Sequence, residues 1–323
     1  MQTSQGTREK PIMLIALGGH AFMMRGEKGT ISEQERNAAN ICKLLQTVID
    51  RDYNLIITHG NGPQVGALLL LNETSDGSVP QMPLDVLVAQ TEGSLGYFLQ
   101  QAMLNELRTR QLRRYVVTVV TQVRVDPADP AFQNPTKPIG PFLSKEEAEK
   151  RRDEKGWTIV EDSGRGWRRV VASPRPLKIV QRDMIRQSAQ EGHIVIACGG
   201  GGIPIIKKPD NSYEGIEAVI DKDLSSAILA HEIGAEIFVI LTEVPQVYTR
   251  YNQPDQQAIG AITSGQLMDL YRAGEFPAGS MGPKVEAVCS FLERGGKRAI
   301  ITNPETLEAA LLGRGGTHVI GAC

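Results

Sequence analysis

Two lysines stand in contexts that suit chemistry on an anion. Lys222 lies in Val219-Ile220-Asp221-Lys222-Asp223-Leu224, at a predicted helix start and between two carboxylates. The positive end of a helix dipole repels a cation, so Asp221 and Asp223 read as groups that hold this ammonium in a chosen direction. The plainer reading is a solvated surface lysine. Lys284 follows Gly279-Ser280-Met281-Gly282-Pro283 and opens a second helix, which brings backbone N–H donors and an ammonium to bear on one anion. Phosphoryl transfer asks for positioning and for positive charge spread over the oxygens in flight.

Three glycine corners offer further donors. The apolar run Leu55-Ile56-Ile57-Thr58 reads as a buried strand, and His59-Gly60-Asn61-Gly62-Pro63-Gln64-Val65-Gly66 turns it into a helix from about Ala67. Glycines at such a corner let the backbone turn sharply and bring bare amides up to a ligand. Ile12 to Leu17 ends in Gly18-Gly19, and Ile194 to Ala197 ends in Gly199-Gly200-Gly201-Gly202. Loops that end parallel strands should gather at one sheet edge, where ligands bind in such folds. No stretch supplies G-x-x-x-x-G-K-[ST], and Gly60-x-Gly62-x-x-x-Gly66 misses the dinucleotide fingerprint by one position. His20, His59, His193, His231 and His318 show no metal-ligand spacing, and Cys42, Cys198, Cys289 and Cys323 are scattered without a C-x-x-C pair.

The elements that must position these groups alternate. After the first strand, a helix is predicted from Ser32 to Asp50, with Ser32 as its cap and Glu35 three residues on. A long helix follows from Asp85 to Arg110, interrupted by Gly93 and Gly96, and then a strand from Tyr115 to Thr121. Between about residues 123 and 176 the rhythm breaks. That segment carries Asp126-Pro127 and Asn134-Pro135-Thr136-Lys137-Pro138, a charged helix from Ser144 to Lys155, and a hairpin from Trp157 to Ala172. Poor in aliphatic residues, it reads as a protruding subdomain or lid. Alternation resumes with a helix from Leu177 to Gln190, and the polar stretch Lys207 to Glu214 marks a domain boundary near 210. A helix from Asp223 to Ile233, a strand from Ile237 to Leu241, a loop around Tyr248 to Gln257, and helices after Ser264 and Pro283 complete the pattern, with a last strand from Ala299 to Thr302. The fold class is α/β, a three-layer αβα sandwich around a mostly parallel sheet.

Bulk properties narrow the function. The 323 residues suffice for a full core, and a net charge of −2 gives no electrostatic case for nucleic acid or a membrane surface. Aromatics are 5%, too few for base-stacking platforms. The polar start, Met1 to Lys10, lacks the apolar segment of a secretory signal, and scattered thiols suit a reducing compartment, so a cytoplasmic location is expected.

Seven segments in order carry a resemblance. They are Ile15-Ala16-Leu17-Gly18-Gly19, the loop His59 to Gly66, Asn134-Pro135-Thr136-Lys137-Pro138-Ile139-Gly140, Gly164-Arg165-Gly166-Trp167-Arg168-Arg169-Val170-Val171, Gly199-Gly200-Gly201-Gly202-Ile203-Pro204, Val219 to Leu224, and Gly279 to Val285. Together, over about Ile12 to Ile320, they resemble carbamate kinase, a branch of the amino acid kinase superfamily; the insertion with Lys137 distinguishes that branch. The resemblance implies a reversible reaction in which Mg2+-ATP and carbamate give ADP and carbamoyl phosphate, often run toward ATP in arginine or ureide breakdown. It implies that Lys222 and Lys284 flank the phosphoryl group, Asp223 holds them, and Lys137 reaches in from the lid. Gly18, Gly19, His20, Gly60, Asn61 and Gly62 would face carbamate and the transferred group. Thr242, Glu243, Val247, Tyr248, Gly279, Ser280, Met281 and Gly282 would hold the nucleotide, with magnesium carried by its phosphates and not by protein ligands. The resemblance also implies residues 11–210 as the carbamate and phosphoryl domain, 211–323 as the nucleotide domain, and a homodimer.

Two departures bear on specificity. The family usually has Asn after its first Gly-Gly where this chain has His20, and an imidazole is bulkier and titrates near neutral pH. Pro245 is also unusual in its loop. A related acyl-phosphate-forming kinase and a nucleotide-binding regulatory homologue therefore stand as alternatives, the second opposed by the intact Lys137, Lys222 and Lys284.

Overall fold

The computed structural model describes residues 10–18, 21–24, 26–74, 78–162, 164–276 and 279–321. Its first part alternates as expected: β1 (Ile12–Leu17), α1 (Ile31–Leu44), the single turn α2 (Gln46–Ile49), β2 (Asn54–His59), α3 (Gly62–Glu73), α4 (Leu84–Thr109) and β3 (Val116–Thr118). The chain then leaves the main layer through β4 (Gln122–Arg124), β5 (Lys137–Leu143), α5 (Lys145–Lys155), β6 (Ile159–Glu161) and β7 (Trp167–Val171). It returns by β8 (Lys178–Ile179), α6 (Arg182–Gln190), β9 (Ile194–Ile196), β10 (Ile203–Lys207) and β11 (Tyr213–Gly215). The last third holds α7 (Lys222–Glu232), β12 (Ile237–Leu241), β13 (Val247–Thr249), β14 (Gln257–Ile259), β15 (Ala261–Thr263), α8 (Ser264–Arg272), α9 (Met281–Glu293), β16 (Arg298–Thr302), α10 (Leu307–Leu311) and β17 (Thr317–Ile320).

Eight strands form the central sheet in the order β15-β17-β16-β12-β1-β2-β9-β3, parallel except where β17 runs against β16. Register puts Met13 beside Leu55 and Ile237, so the period of two sorts side chains to two faces. Met13, Ile15, Leu17, Leu55, Ile57 and Val239 pack with α1 and α4 on one side; Leu14, Ala16, Ile56, Phe238 and Ile240 pack with α6, α7 and α9 on the other. Both faces are therefore covered and the molecule has three layers. Each buried aliphatic contributes roughly 1.5–3 kcal/mol, which makes β1, β2 and β12 the stiff platform for the loops at their carboxyl ends.

Several boundaries differ from the sequence reading. Helix α1 is capped by Thr30, not Ser32: the Thr30 hydroxyl accepts from Glu33 N and the Glu33 carboxylate accepts from Thr30 N, a reciprocal capping box that leaves Ser32 in the first turn. Helix α3 begins at Gly62 because Pro63 in a first turn sacrifices no hydrogen bond. Gly93 and Gly96 do not interrupt α4. Gly96 sits where a Cβ would lie 2.3 Å from Thr118 Cγ2, so its role is close packing on β3. The strand expected to reach Thr121 stops at Thr118. Thr121 is drawn aside, its amide donating to Glu92 and its hydroxyl accepting from Cys198 N. The stretch from Leu177 begins as β8 and becomes helix only at Arg182. The polar run Lys207 to Glu214 folds as the β10–β11 hairpin, part of a four-stranded sheet ordered β11-β10-β4-β8.

The lid proper is the antiparallel sheet β5-β7-β6 with α5, whose cap is Ser144. Its Ile139 and Val171 complete a third apolar cluster with Val65, Leu69, Leu84 and Val88 of α3 and α4. Gly66 and Gly140 meet backbone to backbone; a Cβ on Gly66 would lie 2.0 Å from Gly140 N. At the far end of α3, Glu73 pairs with Arg169 and accepts from Trp157 Nε1 at 3.0 Å, while Arg151 and Arg169 stack over the Trp157 ring. The lid is thus seated along α3, the helix that starts at the Gly60–Gly62 corner.

Candidate active site

Helix α7 begins under Asp221, whose carboxylate accepts from Asp223 N at 2.9 Å and Leu224 N at 3.3 Å. This cap directs Lys222 from the first helical position, and Ser226 ties the turn down by donating to Lys222 O and bonding Thr58 Oγ1 at 2.6 Å. The end of β2 and the start of α7 are therefore fixed together. Lys222 Nζ donates to Asp223 Oδ1, and Lys284 Nζ donates to Asp223 Oδ2 at 3.2 Å and to Ser280 O at 3.1 Å. From the lid, Lys137 Nζ donates to Asp221 Oδ2 at 2.5 Å. Three ammonium groups distant in sequence converge on two neighbouring carboxylates.

The electrostatics follow from burial set against pairing. Burial pushes the Lys222 ammonium down; Asp223 opposes this and Lys284 adds to it. Lys284 goes the other way, because Asp223 and Asp221 outweigh its burial. Burial would raise Asp223, but Lys222 and Lys284 hold it below the usual carboxylate range. Asp221 is likewise held well below that range, with burial overcome first by Lys137 and then by Lys222 and Lys284. An anion entering this cluster meets fixed positive charge with little water between, where Coulomb attraction is strong.

Around it lie the strand ends. Gly18 closes β1, where a Cβ would come 3.0 Å from Leu241 O of β12; Gly19 and His20 lie outside the described residues. After β2 come Gly60, Asn61 and then Gly62, the first residue of α3, whose N-terminus has no side-chain cap. The Asn61 side chain is turned inward: Nδ2 donates to Thr91 Oγ1 at 2.8 Å, and Gly200, at φ +66°, packs on its amide. The third corner is filled. Gly199 to Gly202 are buried against His59, Asn61, Ile220 and Val123, each too close for a Cβ. That corner fills the space between the β2 loop and α7, because only backbone fits there.

On the other side of the cluster, β12 runs into Thr242, whose amide donates to Thr302 O at 2.8 Å, and Glu243, which helps keep Lys284 charged. Val247 is buried with its amide on Thr317 Oγ1, and half-buried Tyr248 stands 6.0 Å from Tyr251 between ring centroids. The expected loop here is the hairpin β13–β14. Pro245 rests on β16, its carbonyl accepting from Thr302 Oγ1. Exposed Gly279 and Ser280 lead into α9 with Met281 and Gly282, one turn from Lys284.

The model of the amino acid kinase family matches residues 11–303. This chain belongs to that family. Within it the similarity is to carbamate kinases. The carbamate kinase of Thermococcus kodakarensis is 49% identical over 311 residues, covering 95% of this chain and 98% of the relative. That of Trichomonas vaginalis is 44% identical, covering 95% and 99%. The solved structure of the Giardia lamblia carbamate kinase bound to AMP-PNP superimposes with a TM-score of 0.88 at 40% identity, covering 97% of this chain and 99% of that one. The chain is thus an enzyme of the kinase class.

Two buried residues of this kinase escaped the sequence reading of roles. Glu92 stands on the apolar stripe of α4, between Val88 and Leu95, and a carboxylate at a core position was the signal that could have exposed it. Its Oε2 accepts from Thr121 N at 2.9 Å, and burial pushes the carboxyl well up while the amides of Thr121 and Gly199 oppose that shift. His59, also fully buried, has Nδ1 at Gly60 O and its ring edge-on to Phe22; burial lowers its pKa to about 4. The unfolded chain therefore takes up a proton on this histidine at a pH where the folded one does not. The stability from neutral His59 is present above about pH 6.5 and is lost as pH falls toward 4, up to roughly 3 kcal/mol. His59→Gln should flatten that part of the stability curve. Urea unfolding at pH 7 and pH 5 would show it as a smaller drop in the variant than in the parent, and equal drops would refute the assignment.

Proposed function

We propose that this protein transfers a phosphoryl group reversibly between nucleotide and carbamate: ATP and carbamate give ADP and carbamoyl phosphate. The observation that carries the reading is the ammonium cluster, with Lys222 and Lys284 sharing the two oxygens of Asp223 and Lys137 arriving from the lid. Similarity to carbamate kinases, one of them solved with AMP-PNP, supports the choice of substrates.

In the ATP-forming direction, a terminal phosphate oxygen of ADP attacks the phosphorus of carbamoyl phosphate. The bond from phosphorus to carbamate oxygen breaks, and its electron pair leaves on carbamate. In the reverse direction the attacking carbamate oxygen is already anionic, so no general base is needed. Lys222 and Lys284 flank the phosphoryl oxygens, and their charge stabilises the transition state. Asp223 orients both, and Lys137 adds charge from the lid. Backbone donors of Gly18, Gly60 and Gly62 serve the carbamate side together with Gly19 and His20, while Asn61 shapes the corner from behind. Thr242, Glu243, Val247, Tyr248 and Gly279 to Gly282 serve the nucleotide. Residues 11–210 would then present the acceptor and 211–323 the nucleotide.

Asp221 and Asp223 have their oxygens engaged by lysines and helix amides, which suits ammonium and not a metal ion. Magnesium therefore arrives as part of the nucleotide substrate and neutralises its phosphate oxygens. The family resemblance favours flow toward ATP in arginine or ureide breakdown, in the cytoplasm, by a homodimer. The test is direct. Protein supplied with ADP, Mg2+ and carbamoyl phosphate should form ATP in a dye-coupled assay; ADP binding without turnover would overturn the proposal.

A further inference from the structure

We propose that Asp221 is a positioning residue for the lid: its carboxylate holds Lys137 at the mouth of the site and yields it to the oxygens of the incoming anion. The inference rests on the phosphoryl-transfer reading above.

One carboxylate does two jobs. Oδ1 caps α7 by accepting from the amides of Asp223 and Leu224, and Oδ2 accepts from Lys137. The helix that carries Lys222 and the lid strand that starts with Lys137 are thereby joined at a single side chain. Other lid contacts bear on α3 and α4, with Gly140 on Gly66, Arg169 and Trp157 on Glu73, and Ile139 and Val171 against Leu84 and Val88, while Ala172 O accepts from Val219 N just ahead of α7. Among the described residues, Lys137–Asp221 is the ion pair that reaches from this assembly to the start of α7.

The charge count explains why such a holder is useful. Lys137, Lys222 and Lys284 face Asp221 and Asp223, leaving one net positive charge. Without Asp221 three ammonium groups would face one carboxylate and repel one another, and a long lysine side chain on the lid would swing into water. With it, Lys137 waits within reach of the position an anion will occupy. Carbamoyl phosphate brings at least two negative charges, enough to draw the ammonium from a carboxylate whose other oxygen remains bonded to the helix. The carboxylate then lies near the anion, so Asp221 trades some affinity for placement.

Asp221→Asn separates the two jobs. The Asn Oδ1 still caps α7, but its Nδ2 is a donor and cannot hold an ammonium. Asp221→Ser, a second residue that caps well, guards against a folding defect peculiar to one variant. Both should lower kcat about tenfold, because Lys137 is no longer placed. Both should also lower the KM for carbamoyl phosphate about threefold, because the site gains a net positive charge. In a Lys137→Ala background, most of the roughly tenfold loss of kcat from Asp221→Asn should disappear, leaving only the smaller effect of Asp221 on Lys222 and Lys284. The two tryptophans, Trp157 and Trp167, both belong to the lid segment, so their fluorescence reports lid placement without turnover. Ligand-free Asp221→Asn should differ from the parent in that signal and titrate with carbamoyl phosphate at lower concentration. An equal loss of kcat with and without Lys137, or an unchanged fluorescence titration, would reduce Asp221 to a helix cap and overturn the proposal. A parent protein that made no ATP would instead refute the functional reading, and the fluorescence comparison would still judge Asp221.

Discussion

Lys222→Ala should lower ATP formation from carbamoyl phosphate by about 10³-fold, the largest loss expected from any single substitution in this protein. Two effects act in the same direction. The phosphoryl oxygens lose a buried ammonium held at the start of α7, and Asp223 keeps its negative charge with Lys284 as its remaining close partner. A half-paired carboxylate then faces the incoming anion and repels it. The loss should fall on kcat as well as on kcat/KM, since the charge matters most when it builds up in the transition state. Lys222→Arg should not restore the rate, because a planar guanidinium cannot sit as a point charge between Asp223 and the phosphoryl group. Steady-state kinetics on folded protein decide the matter: a variant retaining a tenth or more of the parent rate would remove Lys222 from its assigned role.

Gly66→Ala should cost about 10²-fold in kcat/KM while leaving the central sheet folded. In an open helix this change would be favourable, since glycine costs roughly 0.5–1 kcal/mol relative to alanine in a helix interior. Here the added Cβ would lie 2.0 Å from Gly140 N and 2.1 Å from Gly140 Cα, against backbone that cannot rotate away. Relief requires the lid to lift from α3 by about 1 Å or more, and a displacement of that size at a catalytic group is enough for a loss of about 10²-fold. Overpacking of this kind destabilises by about 1–3 kcal/mol, felt mainly in the lid seam of Val65, Ile139 and Val171. Lid tryptophan fluorescence and kcat should therefore change together, with a small shift in thermal unfolding. Full activity in Gly66→Ala would show that seating the lid on α3 does not place Lys137.

The sequence by itself determined the class of the fold. The apolar runs at Ile12, Leu55, Ile194 and Ile237 are long and uniform enough to declare buried parallel strands, with helical stretches alternating between them. It also pointed to the candidate site residues, because a lysine between two aspartates at a helix start, and a second after a glycine turn, are local signals that need no partner to be seen. Tertiary structure alone decided what those residues face. Lys137 and Asp221 are 84 positions apart and meet only when the lid lies on α3. Asn61 looks like a ligand donor until Thr91 and Gly200 occupy its side chain, and Gly199 to Gly202 look like an anion corner until four neighbours fill it. Glu92 reads as one charge on a long helix until burial pushes its carboxyl pKa well up. Local sequence dictates backbone conformation through sterics, capping and periodicity, which act over a few residues. Contact, burial and charge state depend on segments that only folding brings within a few ångströms of each other.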